Sequence, residues 1–381
     1  MKVAVLGFGT VGYGVYGMLQ NAQGLEAGPV LVRQGKDDEP FKVTSIDDIV
    51  NDPSVEAVAE VMGGVEPAFS FVSAALKAGK HVVTSNKALV AAKGTELEKL
   101  AVDSGVAFLF SAACGGAVPF LHNMALAAES DEILSVGGIL NGTTNYMLDG
   151  MQRRSLSYED ALADAQRLGY AEADPTADVS GLDALRKIML ACAVAYKLLP
   201  VEGLNNEGID SLTADDVKYL QSLDLTCRLV ASGGKNADGS VYAYVEPVLL
   251  QPHEAECSVL NNFNMARYVG KNSGDIVFIG QGAGRWPTAS AVIRDLSDIS
   301  HGRREMMSPE CVVGSADNSG CVHSYMVRVD KDCPFELPVS SRDEVDSCVY
   351  MMTEPVAVSV MHEYAAKLRK DGQKVFFAAI R

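Results

Sequence analysis

An α/β fold with an N-terminal doubly wound parallel sheet is predicted by three features. A short, β-branched apolar run spans Lys2 to Leu6; Gly7, Gly9 and Gly12 follow it in G-F-G-T-V-G; and apolar strands then alternate with helical segments up to about residue 130. Strand, tight turn and helix is the context in which such a glycine pattern carries meaning. The glycines let the turn close and let backbone approach a pyrophosphate, whose charge then sits at the start of a helix. That helical pattern runs from Val11 to about Gln20, which makes Gly7, Gly9, Thr10, Val11 and Gly12 the expected dinucleotide-binding set. A glycine-rich turn without a ligand is the plainer alternative, and the repeated alternation downstream weighs against it.

The remaining strands are read at Pro29 to Arg33, Val55 to Met62, His81 to Ser85 and Val106 to Phe110, with helices at Pro67 to Ala78 and Ala88 to Asp103. Open α/β sheets bind ligands at the carboxyl ends of their strands. Three loops there stand out: Met62 to Pro67, whose paired glycines, Gly63 among them, let a ligand pass close to backbone; Thr84 to Lys87, which carries Ser85 and places Lys87 just before a helix start; and Cys114 to Pro119. Strand two ends at Arg33, with Lys36 close behind and Asp37 and Asp38 later. A guanidinium where NAD sites carry an acid favours the 2′-phosphate of NADP.

Beyond residue 130 strands and helices mix without a second glycine fingerprint, which reads as an α+β domain. Its centre is Gly169 to Lys187, GYAEADPTADVSGLDALRK, leading into a helix from Ser180 to about Leu199 before Pro200. Placed 100° apart, its residues are apolar almost all the way round, with only Arg186, Ala193 and Lys197 on an arc fit to face water. Asp183 and Lys187 lie outside that arc, one turn apart. An ordinary surface ion pair is the bland reading; burial of the pair points to a working role. Upstream, Glu172, Asp174 and Asp178 form an acidic loop suited to a cationic group.

Composition removes other classes. The net charge of −17 and the lack of Lys/Arg clusters tell against nucleic acid. The apolar start breaks at once into glycines, unlike a secretory signal or membrane span. Eight dispersed cysteines without CxxC spacing read as reduced thiols in a cytoplasmic protein, and six scattered histidines show no metal-binding pattern.

Five ordered blocks over about residues 1 to 300 make the chain resemble the homoserine dehydrogenases: GFGTVG, SNKALVA from Ser85, GILNGTTNYML from Gly138, the 169–187 block, and GQGAG through Gly284 followed by PTASAV. The resemblance implies NAD(P)H-dependent interconversion of L-aspartate 4-semialdehyde and L-homoserine in threonine, methionine and isoleucine biosynthesis. It implies Lys187 as general acid/base, with Asp183 orienting it or helping to hold substrate, and Lys87 as the lysine between cofactor and substrate. Glu172 and Asp178 match acids at the substrate's amino end, Gly142 and Thr143 the turn beside it, and Gly284 the cofactor site. NADP is the expected cofactor, although some enzymes of the family also accept NAD, and a homodimer is implied. Two departures stand out. Where the family commonly has a glutamate at a monovalent-cation site this chain has Ser111, so no metal is expected. The tail is shorter and less regular than the ACT regulatory domain often found there.

The expected layout is a Rossmann-type domain over 1–130 completed by about 287–312, a substrate-binding and dimerisation domain over 131–286, and a small degenerate ACT-like appendage over 313–381. Two other readings remain. A different Rossmann-type oxidoreductase of a small amino acid should lack the 169–187 block; a non-catalytic NADP(H) or amino-acid sensor would bind without turnover.

Overall fold

The structure, a computed structural model, describes residues 1–36 and 38–381; Asp37 lies outside the described residues. The chain divides into two compact units, one of Met1–Ile133, Met189–Leu199 and Gly270–Val313, the other of Leu134–Ile188, Pro200–Val269 and Gly314–Arg381.

The first unit holds a six-stranded sheet in the order Lys42–Val43, Glu26–Leu31, Lys2–Leu6, Ala57–Glu60, His81–Thr84, Phe108–Leu109, with every pairing parallel. This is the doubly wound order, with the first strand at the centre and the reversal of direction beside it. Strands covered on both faces need continuous apolar sequence. Val3 to Leu6, Ala57 to Ala59, and Val82 with Val83 supply it, all fully buried. Strand two starts and ends earlier than the sequence suggests, at Glu26–Leu31, because its ladder follows the central strand from Lys2↔Glu26 to Leu6↔Leu31. Arg33 therefore lies in the turn beyond the sheet. A helix runs from Arg285 to Ser300; Pro287 is tolerated because it falls in the first turn, where N–H groups have no helical partner.

The second unit carries a mixed sheet in the order Phe263–Gly270, Ile133–Ile139, Thr226–Lys235, Val241–Leu250, Phe376–Ile380, Val322–Asp330, Cys348–Thr353, Val339–Val345. The tail, expected as a small degenerate ACT-like appendage, adds strands to this sheet. Phe376–Ile380 runs parallel to Val241–Leu250 on one side and antiparallel to Val322–Asp330 on the other. Val230, Val248, Tyr325, Val327, Met361 and Phe377 share one apolar core there. An independent domain would close its own core; this tail closes its neighbour's.

Gly142–Arg154 forms a helix, which Asn141 starts by accepting from Thr144 N at 2.8 Å. The helix expected over 180–199 spans Leu182–Tyr196. It stops because Lys197 takes a left-handed φ of 56° and Leu198 begins a strand. Ala193, placed on the water-facing arc by its spacing, is buried, as a small side chain allows.

Candidate functional site

The second unit's site is built where two helices begin. On Leu182–Tyr196, Asp183 and Lys187 are one turn apart, and Lys187 Nζ lies 2.7 Å from Asp183 Oδ2. The same ammonium donates to the Leu140 carbonyl at 2.5 Å. A charge this shielded is tolerable only with such partners. Asn141, cap of the Gly142–Arg154 helix, turns its Nδ2 to both acids, 2.7 Å from Asp178 Oδ1 and 2.9 Å from Asp183 Oδ2. Buried Asn264 donates to the Leu140 carbonyl at 2.8 Å. One asparagine thus ties the acidic loop to the lysine-bearing helix.

Most of the substrate-side residues singled out in the sequence fall around this point in the second unit. Asp178 is half-buried and held by Asn141, while Glu172 is exposed, its backbone carbonyl accepting from Gln166 Nε2 at 3.1 Å. Thr143 Oγ1 donates to the Tyr170 carbonyl at 2.6 Å, so the helix start also anchors the loop that carries Glu172. Gly142 is needed for close approach: a Cβ there would lie 2.6 Å from the Asn262 carbonyl oxygen.

In the first unit, the glycine turn fits a dinucleotide phosphate. A Cβ at Gly12 would sit 2.0 Å from the Gly7 carbonyl oxygen, so only glycine lets the turn fold this tightly. Gly9 and Thr10 are exposed at the start of the helix Thr10–Leu19, with Val11 half-buried behind them. A Cβ on Gly9 would meet nothing within 4 Å, which leaves room for a ligand against the helix N-terminus. Gly63 is exposed, Ser85 and Lys87 are half-buried, and Lys87 is the first residue of the helix Lys87–Asp103. Gly284 caps the helix Arg285–Ser300 with φ 121°, and Arg33 is exposed.

Glu60, which sequence reasoning missed, organises these loop ends. Fully buried at the carboxyl end of its strand, it accepts from Met62 N at 2.7 Å and from the Thr84 hydroxyl. Asn86 Nδ2 lies 3.5 Å from its Oε1 and 2.6 Å from the Gly64 carbonyl, while Asn86 Oδ1 caps the helix that Lys87 opens. Burial pushes the Glu60 carboxyl up to about 7, against the pull of those donors. Ser111, at the position singled out for a family cation ligand, is buried and gives both its backbone N–H and its hydroxyl to Asp295. Among the described residues His122, Asp295 and Asp298 bring potential ligand atoms within 4.8 Å of one another. His122 Nδ1 lies 2.9 Å from Asp298 Oδ2, and burial together with the positive charges of Arg294 and Arg303 holds that imidazole below its ordinary range.

Comparison with known proteins finds similar chains. A family model described as homoserine dehydrogenase covers residues 119–297, and one described as its NAD binding domain covers residues 7–111. Homoserine dehydrogenase of Bacillus subtilis is 37% identical over 331 residues, 82% of this chain and 76% of that protein. The Corynebacterium glutamicum enzyme is 40% identical over 315 residues, 77% and 70% of the two chains. The crystal structure of a homoserine dehydrogenase from Thiobacillus denitrificans superposes with a TM-score of 0.88 at 29% identity, covering 100% of this chain and 98% of that one. A hyperthermophilic archaeal homoserine dehydrogenase in complex with NADPH, 24% identical over 80% of this chain and 99% of its own, shares the fold with a TM-score of 0.69.

Proposed function

The chain belongs to the homoserine dehydrogenase family, and from that premise we propose how its own residues carry out the interconversion of L-homoserine and L-aspartate 4-semialdehyde. Bound at the Gly7–Gly12 turn, the nicotinamide dinucleotide supplies or accepts the hydride. Lys187 handles the proton. Toward homoserine, its ammonium gives a proton to the oxygen on which negative charge develops, and its charge stabilises that oxygen until transfer. Toward the aldehyde, the neutral amine takes the hydroxyl proton. Asp183, 2.7 Å away on the same helix, fixes the direction of the ammonium.

Glu172 and Asp178 receive the substrate's α-ammonium, and the backbone opening the helix at Gly142 and Thr143 offers N–H groups suited to its carboxylate. Gly7, Gly9, Thr10, Val11, Gly12, Gly63, Ser85 and Gly284 shape the dinucleotide side, with Lys87 adding a cation at a strand end. NADP is the proposed cofactor, through Arg33. A cytoplasmic homodimer is the proposed state, as membership of this family suggests; no helix of the described residues is long and apolar enough to cross a membrane.

The shielded Asp183–Lys187 pair, tied by Asn141 to Asp178, carries this reading. The test is an initial-rate assay of the purified chain with aspartate semialdehyde and NADPH, following loss of the reduced nicotinamide. Saturable, semialdehyde-dependent oxidation of NADPH is expected. Its absence in protein that binds NADPH would leave the sensor reading in its place.

A further inference from the structure

The C-terminal helix Val358–Lys370 reaches back toward the lysine-bearing helix through one buried carboxylate. Arg369 grips Glu207 with two parallel bonds, Nη1 to Oε2 at 2.9 Å and Nη2 to Oε1 at 2.5 Å, and Nη2 also donates to the Val375 carbonyl at 3.2 Å. Glu207 is 6% exposed, and its own N–H donates to the Val245 carbonyl at 2.8 Å. The fork is thus fixed on one side to the tail and on the other to the central sheet.

The residues flanking Glu207 clasp the segment that leads into the lysine-bearing helix. Asn206 Nδ2 donates to the Ser180 carbonyl at 2.7 Å, and Ile209 N donates to the Val179 carbonyl at 2.8 Å. The two segments lie so close that a Cβ on Gly208 would sit 2.1 Å from the Val179 carbonyl oxygen. Val179 and Ser180 directly follow Asp178, and the helix bearing Asp183 and Lys187 begins at Leu182. A short, rigid path therefore runs from Arg369 through Glu207 and 206–209 to the acids that Asn141 gathers.

We propose that Glu207 and Arg369 are positioning residues of the active site: their bidentate pair holds the 206–209 segment against Val179–Ser180 and so sets where Asp178 and Asp183 meet the amino-acid substrate. This rests on the assignment of Asp178, Asp183 and Lys187 given above. A guanidinium suits the task because its planar fork fixes both carboxylate oxygens, whereas an ammonium fixes one direction only. Displacement of substrate-binding groups by about 1 Å is enough to cost up to about 100-fold in rate.

The test is steady-state kinetics of full-length Glu207→Gln, Arg369→Met and Arg369→Lys, varying homoserine and NADP⁺ separately, with melting curves and the NADPH dissociation constant alongside. For Glu207→Gln and Arg369→Met, kcat/KM for homoserine should fall by about 10- to 100-fold, mostly through KM, with NADPH affinity unchanged. Arg369→Lys should fall between them and the wild type. Should Arg369→Met fail to fold, Arg369→Lys and Glu207→Gln carry the test. Values for homoserine within about twofold of wild type, below the loss that misplacement causes, would overturn the proposal, as would an equal loss of NADPH affinity. Lys187→Ala in the same assay separates the two levels: full activity there removes the active-site assignment itself, whereas loss there beside unchanged Glu207 and Arg369 variants removes only the positioning role.

Discussion

Lys187 Nζ stands 2.7 Å from Asp183 Oδ2, one helical turn away, and the two side chains are only 6% and 10% exposed. Such a pair costs more to desolvate than a surface ion pair returns, so its presence in an apolar helix is better explained by chemistry than by stability. Lys187→Ala should leave the NADPH dissociation constant unchanged while kcat falls by about 10²- to 10⁴-fold, the range for removing a general acid/base. Asp183→Asn should lose comparable activity because the ammonium loses its fixed direction. Near-wild-type turnover in Lys187→Ala tells against the assignment, and a collapsed melting curve for Asp183→Asn would make the pair structural first.

The two substrate-side acids should separate in their behaviour. Glu172 is exposed, whereas Asp178 accepts from Asn141 at 2.7 Å. Glu172→Gln should raise KM for homoserine, through the lost charge-assisted bond to an ammonium, with no change in melting temperature. Asp178→Asn should raise the same KM and also lower the melting temperature, because its amide can oppose the Asn141 donor. An unchanged KM in Glu172→Gln assigns that residue to the surface alone.

The paired charges are legible in sequence because 100° spacing puts Asp183 and Lys187 off the polar arc, and the glycine turn because strand and helix flank it. Asn141 is not. An asparagine after a strand reads as a terminator, and its bridging role depends on acids 37 and 42 residues away. Glu60 hides for another reason. A lone acid at the end of an apolar run suggests a solvent-facing edge, whereas a parallel sheet covered on both faces buries it. The tail's place in the sheet is hidden because an order of strand, strand, helix, strand describes a small appendage and an extension of an existing sheet equally well.

Removal of residues from Gly320 onward should therefore give insoluble or unfolded protein. The strands Val322–Asp330 and Phe376–Ile380 would go, leaving Val241–Leu250 as a bare edge and uncovering buried Val230, Val248 and Leu250. Exposed apolar strand edges template aggregation. Soluble expression, circular dichroism and activity read the outcome; a monodisperse, active truncation would show that the tail is dispensable.

Stability should fall as pH rises from neutral, through Glu98. Its side chain is 2% exposed, its Oε2 has no hydrogen-bond partner, and burial, reinforced by Glu305, pushes its carboxyl up from 4.5 to about 9. Between those values the folded chain keeps a proton that the unfolded chain has released, so the stability this protonation contributes is lost as pH climbs toward the folded value. Burial also raises Glu60 and Asp295, each to about 7, which adds to the slope in the same direction at lower pH. Glu98→Gln cannot ionise. It should shrink the stability difference between about pH 6 and 8.5 by on the order of 1–3 kcal/mol, read from urea midpoints. Parallel stability curves for the two proteins would show that Glu98 does not keep its proton.

Cofactor preference turns on what lies past strand two. The strand ends at Leu31, Arg33 is exposed in the following turn, and Lys36 N donates to the Arg33 carbonyl at 3.0 Å, which brings a second cation to the same turn. NAD sites need an acid there to accept the ribose hydroxyls. Asp38 is engaged elsewhere: Lys42 lies 2.6 Å from its Oδ1 and 3.2 Å from Glu39 Oε1, and that ammonium holds the Asp38 carboxyl below its usual range. Among the described residues the charge exposed at the end of the strand is thus positive, and a guanidinium can grip the 2′-phosphate with two bonds. Hydrogen bonds to charged groups contribute about 1.5–3 kcal/mol, so kcat/KM should favour NADPH over NADH by about tenfold or more. Arg33→Ala should reduce that ratio chiefly by raising KM for NADPH, with NADH kinetics little changed. Equal specificity constants in the wild type would refute the preference; a ratio that survives Arg33→Ala would move the phosphate contact to Lys36 or another group.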